Sequence, residues 1–144
     1  VFAVRRMLEA EMTRAFIREV TPARIKALRD HVAQEKKALA SDNAHERVEL
    51  LGDFHVRMAE LTGNDVLARM LGELISRCSL ITLMYQSASA AKHSADEHSA
   101  TVAALAACAI LFAVRLMTEH LLHVEENLVF DRKLPTHDIT LALS

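Results

Sequence analysis

The sequence predicts an all-α fold, an antiparallel bundle of about six or seven helices. Three observations predict it. Apolar residues recur at a spacing of three or four in segment after segment, which places them on one helical stripe. Only three Gly and two Pro occur in 144 residues, too few for the many tight turns of an all-β chain. Cap-forming residues punctuate the pattern at Thr21-Pro22, Ser41-Asp42-Asn43 and Asn64-Asp65, where helices are expected to start.

The first helix is predicted over Val1 to Val20, with Val4, Met7 or Leu8, Met12 and Ala15 or Phe16 on its stripe. It stops before Thr21-Pro22, because Thr caps the next helix and Pro is tolerated at its first position. That second helix runs to about residue 40. After Ser41-Asp42-Asn43, a third carries Val48, Leu51, Phe54 or His55, Met58 and Leu61 up to Gly63. Asn64-Asp65 opens a fourth, predicted through about Gln86 with Leu67, Met70 or Leu71, Leu74, Cys78 and Ile81 along one side. Residues 87–92 read as a small-residue connection, and Ser94 with Glu97 reads as a capping box that starts the fifth helix. A break is expected near residues 107–109 from length alone. Ile110 or Leu111, Val114, Met117, Leu121, Val124 and Leu128 mark the last long helix, which Pro135 bars from continuing. The organisation expected is a helical domain over 1–131 and a tail over 132–144.

Composition excludes several classes of function. Seventeen basic against nineteen acidic residues give a net charge of −2, without the positive surplus that gripping a phosphate backbone requires. The longest apolar stretch, Val102 to Val114, is shorter than the roughly 18 to 20 residues of a membrane span, so a soluble chain with no membrane partner is expected. Cys78 and Cys108 lie within helical pattern and read as small buried hydrophobes rather than a disulfide framework, which points to the cytoplasm. The chain begins at Val1, already in helical register and without a signal-peptide pattern. It reads as a piece whose N-terminal part is missing.

Among eight His, three share apolar faces: His55 with Leu51, Met58 and Ala59; His98 with Val102 and Leu105; His120 with Ala113, Leu116, Met117 and Val124. Each sits on a different helix. A bundle builds metal sites from inward side chains on facing helices, and neutral imidazole is the commonest ligand of first-row divalent metals. Three His leave coordination positions open for water or a small ligand. The competing reading is that each is a core residue bonded to a backbone carbonyl, and the spacing matches no local zinc motif. His93 and His123 are weaker candidates, while His31, His45 and His137 read as solvated. Arg5 or Arg6 could turn inward and pair with a carboxylate. Met7, Met12, Met58, Met70, Met84 and Met117 read as adaptable core packing. No acidic residue on the three His stripes stands out as a general base.

With these residues in view, the chain resembles the ligand-binding C-terminal domain of the FadR-type branch of GntR transcription regulators. The match spans nearly its whole length. Val1-Phe-Ala-Val-Arg-Arg-Met-Leu-Glu9 is similar to that domain's opening helix. Gly52-Asp-Phe-His55 with Ala59-Glu-Leu-Thr-Gly-Asn64 resembles its central segment, and Asp96-Glu-His98 with Leu116-Met-Thr-Glu-His-Leu121 its closing pair. The resemblance implies an effector-binding, dimerising domain that follows a winged helix-turn-helix, through which operator DNA is bound. A small organic acid is the implied class of effector. Many members hold a divalent metal through an Asp, a His four residues later and two further His on the last two helices. His55, His98 and His120 fall on the His positions, and zinc or nickel is the ion expected. The Asp position is Leu51 here, and Asp53 cannot replace it, being about 200° further round the helix. Arg5, His93 and His123 are the residues expected to meet the effector. Cys108-Ala109 stands where relatives often carry Gly-Asp. Two other functions remain open on the residues alone: a helical-bundle metalloenzyme, and a metal-free dimerisation module.

Overall fold

The computed structural model describes residues 1–130. The proposed tail, Pro135 and His137 lie outside the described residues. Six helices follow one another: α1 (Phe2–Arg18), α2 (Pro22–Leu39), α3 (Ala44–Leu61), α4 (Asp65–Tyr85), α5 (Ala88–Ala106) and α6 (Ile110–Phe130). Side chains close most of their starts. Thr21 accepts from the Arg24 N–H at 3.2 Å, Asn43 from Glu46 at 3.1 Å and Asn64 from Leu67 at 3.0 Å, each satisfying a backbone donor that the first turn leaves free. Gly63 follows the end of α3 with φ +77°, a conformation that costs glycine nothing.

Helix–helix contacts close a ring in the order α1, α4, α3, α2, α5, α6 and back to α1. Sequence neighbours α1 and α2, and likewise α4 and α5, do not pack on one another among the described residues; α1 lies against α6 and α2 against α5. Within this ring Met12, Phe16, Leu28, Phe54, Met58 and Leu71 are fully buried. Across its middle α1, α3 and α5 touch one another and α4 touches α6, and there the apolar core gives way to polar groups.

Four expectations are corrected. The fifth helix starts at Ala88 rather than at Ser94, because Ser87 caps it by accepting from the Ala90 N–H at 3.0 Å and the alanines that follow are the strongest helix formers. Ser94 is buried inside the helix, and Glu97 is not its capping partner. In α1 the buried register is Arg5, Glu9, Met12, Thr13 and Phe16, one residue round from the expected stripe, so Val4 and Met7 are exposed. The period was right and the phase was not, since an apolar moment alone places no inward charge. Of the six methionines, Met12, Met58 and Met117 are core, while Met7, Met70 and Met84 face outward. Cys108 is exposed and takes φ +54° in the α5–α6 turn, where glycine would be unstrained.

Candidate metal centre

Three imidazoles converge in the middle of the ring: His55 from α3, His98 from α5 and His120 from α6, all buried. His98 Nε2 lies 3.0 Å from His120 Nε2, and His120 Nε2 lies 3.3 Å from His55 Nε2. Packing fixes the rings. His98 stacks on the fully buried Phe54 ring at 4.0 Å between centroids, and His55 and His120 lie parallel at 5.3 Å.

Each ring also turns its Nδ1 toward a carboxylate on the far side. His55 Nδ1 meets Glu9 of α1. His98 Nδ1 lies 2.9 Å from both oxygens of Glu35 on α2, and His120 Nδ1 lies 3.2 Å from Glu97 Oε1 on α5. An Nδ1–H donated to an ionised carboxylate leaves Nε2 as a bare lone pair. With all three carboxylates ionised, three such lone pairs face one another, an arrangement that a cation between them stabilises. Carboxylate–histidine pairs of this kind orient metal-ligating imidazoles and raise their basicity. Two nitrogens each about 2.0–2.1 Å from one zinc-sized ion stand about 2.8–3.4 Å apart at angles between octahedral and tetrahedral, and both Nε2 separations given above fall in that range. The donor set fits a divalent transition metal.

The charges agree. Burial alone would raise Glu9, but His55 and Arg5 outweigh it and hold its carboxyl at about 2. Burial lowers His55 to about 4 and drives His98 well below the usual range, so both rings are neutral at pH 7, the form that binds metal. Burial pushes Glu35 up to about 9, with only Lys36 pulling the other way. At pH 7 Glu35 therefore holds a proton in the metal-free protein, while Glu9 is ionised beside Arg5 and Glu97, raised by burial but lowered more by His120 and His123, is ionised too. A divalent ion at the Nε2 atoms would favour loss of the Glu35 proton as well.

Arg5 is buried and donates from Nε to Glu9 Oε2 at 2.8 Å. Together with the three His it lines a cavity of about 40 Å³, to which Thr82, Gln86 and Ser94 also contribute. Leu51 lines the same cavity, so the position one turn before His55 faces the site but offers no ligand atom. Asp53 lines a larger open groove of about 510 Å³ on the outer side of α3 and α4, away from the Nε2 atoms. That groove shares Val48, Ile75 and Ser79 with the inner cavity.

The structure therefore brings His55, His98, His120 and Arg5 together. His93 and His123 do not line the cavity; they meet around Glu97, whose Oε2 accepts from His123 Nδ1 at 2.6 Å. His31, expected in solvent, is largely covered and donates from Nε2 to the Leu50 carbonyl at 2.8 Å. Sequence reasoning missed Glu9 and Glu35. The signal was available: Glu35 continues the stripe of Leu28 and Val32, and Glu9 that of Met12 and Phe16, and an acid interrupting an apolar stripe needs a buried partner.

The family model of the FCD domain matches residues 1–123. The chain belongs to the FCD domain family. No similar chain was found among curated proteins or among solved structures. FCD domains are regulatory domains, and the all-helical ring described above is consistent with their fold. Among the described residues no helix is long and apolar enough to cross a membrane.

Proposed function

We propose that this FCD domain is the effector-sensing and dimerisation domain of a GntR/FadR-type transcription regulator, binding a small organic acid through a divalent metal held by His55, His98 and His120. The observation that carries the reading is the set of three converging Nε2 atoms, each backed through Nδ1 by a carboxylate from Glu9, Glu35 or Glu97. Zinc or nickel suits three imidazoles. Such an ion, when bound, supplies open positions that an effector carboxylate can fill.

The chain's own residues supply the rest. Arg5, anchored on Glu9 through Nε, brings its guanidinium to the cavity wall, and a guanidinium pairs favourably with a carboxylate. A cavity of about 40 Å³ has room for a few water molecules or one carboxylate head, given the roughly 10–15 Å³ each water needs. Glu9, Glu35 and Glu97 are all engaged by Nδ1 groups, which makes them orienting groups rather than general bases and favours sensing over hydrolysis. Effector bound among α1, α3, α5 and α6 ties four helices together, and only unequal affinity for two arrangements of them transmits a signal. Homodimerisation is supported by large apolar side chains left outside, including Val4, Met7 and Leu111. Operator DNA is contacted through a winged helix-turn-helix part outside this sequence, since the net charge of −2 gives this domain no grip on phosphates. Calorimetric titration of the metal-loaded protein with small di- and hydroxycarboxylic acids tests the reading. Binding that requires both metal and Arg5 supports it, and equal binding by the Arg5→Ala variant contradicts it.

A further inference from the structure

On the outer side of α5 and α6 lies a second group of ligating atoms. His93 and Glu97 stand one helical turn apart on α5, so they share a face, and His123 reaches them from α6. His123 Nδ1 donates to Glu97 at 2.6 Å, the His93 and His123 ring centroids are 5.9 Å apart, and one ligand atom from each of the three residues lies within 4.8 Å of the others. A small side-chain rotation closes that gap onto one ion. His93 is exposed and the other two are partly so, leaving the group open to solvent.

The electrostatic surroundings favour a cation. Glu119 and Glu126 lie close enough to act on His123 and, like Glu97, attract positive charge to it. Lys92, on the same helix, is tied to Asp96 at 2.9 Å rather than to Glu97. The plainer reading, a surface pair of His123 with Glu97, is a weak hold on partly exposed groups and gives His93 no part.

We infer that His93, Glu97 and His123 form a second divalent-metal site, at the surface, with water completing the shell. Two imidazoles and one carboxylate suit zinc or a neighbouring first-row ion. An ion there takes the place of the His123–Glu97 hydrogen bond at Oε2 and leaves Oε1 facing His120, so one carboxylate serves both the buried and the surface group.

Equilibrium dialysis of the whole chain against Zn²⁺, followed by elemental counting, tests this in the parent and in His93→Ala, His123→Ala and His55→Ala. The surface variants keep the fold, which an unchanged Tm in chelator verifies. His93→Ala and His123→Ala should each hold about one zinc per chain fewer than the parent at equal free Zn²⁺. His55→Ala should keep the zinc that those two lose, which separates this site from the buried one. A zinc count equal to the parent's in both surface variants overturns the inference, whatever happens at His55.

Discussion

Leu51→Asp is the substitution whose outcome depends most on the geometry of the buried site. Leu51 is 7% exposed and packs with Ala91, Ala95 and Leu39, yet it also lines the cavity of the three His. Removing the leucine forfeits about 2 kcal/mol of burial. Placing a carboxyl there adds a desolvation cost on the order of 1–3 kcal/mol while nothing pairs with it. In chelator the variant should therefore be about 3–5 kcal/mol less stable, a Tm lowered by roughly 10–20 °C for a domain of this size. With zinc present the same carboxyl stands one turn before His55, on the cavity side, and supplies a fourth ligand. Zinc affinity should rise at least about tenfold, worth about 1.4 kcal/mol, and the Tm deficit should shrink as metal is added. Thermal melts with and without chelator, together with a competition titration against a zinc dye, give both numbers. A folded variant whose zinc affinity equals or falls below the parent's would refute the reasoning, because position 51 would then not face the ion.

His120→Ala removes the ring whose Nε2 is close to both other rings, so metal at the buried site should be lost and the Tm should fall relative to the metal-loaded parent; an unchanged metal content contradicts the three-His site. Glu35→Gln keeps the shape but removes the carboxylate behind His98, and metal affinity should drop about 10- to 100-fold while the metal-free melt holds or improves, as competition titration and calorimetry would show. Cys108→Gly should stabilise the fold by about 1 kcal/mol, since Cys108 is exposed at φ +54° and glycine accepts that backbone without strain. Urea denaturation checks it, and a loss of stability would mean that the Cys108 side chain contributes packing the structure does not show.

The fold was legible because its helices carry their own punctuation. Thr21-Pro22, Asn43 and Asn64 cap where they were expected to, and the period of three or four in α3, α4 and the later turns of α6 reports real burial, although Ile110 and Leu111, expected at the start of the α6 stripe, are exposed. The fifth helix was misplaced because Ser94 with Glu97 imitates a capping box, while the real start at Ser87 shows only alanines, which are strong helix formers but carry no periodic signal. The ring order was not legible, since nothing local to the α1–α2 or α4–α5 connection says that those neighbours separate. Within the site, His55, His98 and His120 stood out as polar groups on apolar faces, while Arg5 was legible only as one of two arginines that could turn inward. The carboxylates behind the rings did not, because Glu9 and Glu35 reach their partners from helices distant in sequence, and their value lies in pairing across the bundle. The family match extends over residues 1–123, and because Leu51 lines the cavity without offering a ligand atom, the Nδ1 partners are the more informative part of the site.

The most direct test of the central claim is the metal content of gently purified protein, compared with a variant carrying His55→Ala, His98→Ala and His120→Ala together. The account predicts about one equivalent more divalent metal per chain in the parent than in the variant. Equal metal in the two proteins, with the parent folded, would contradict it.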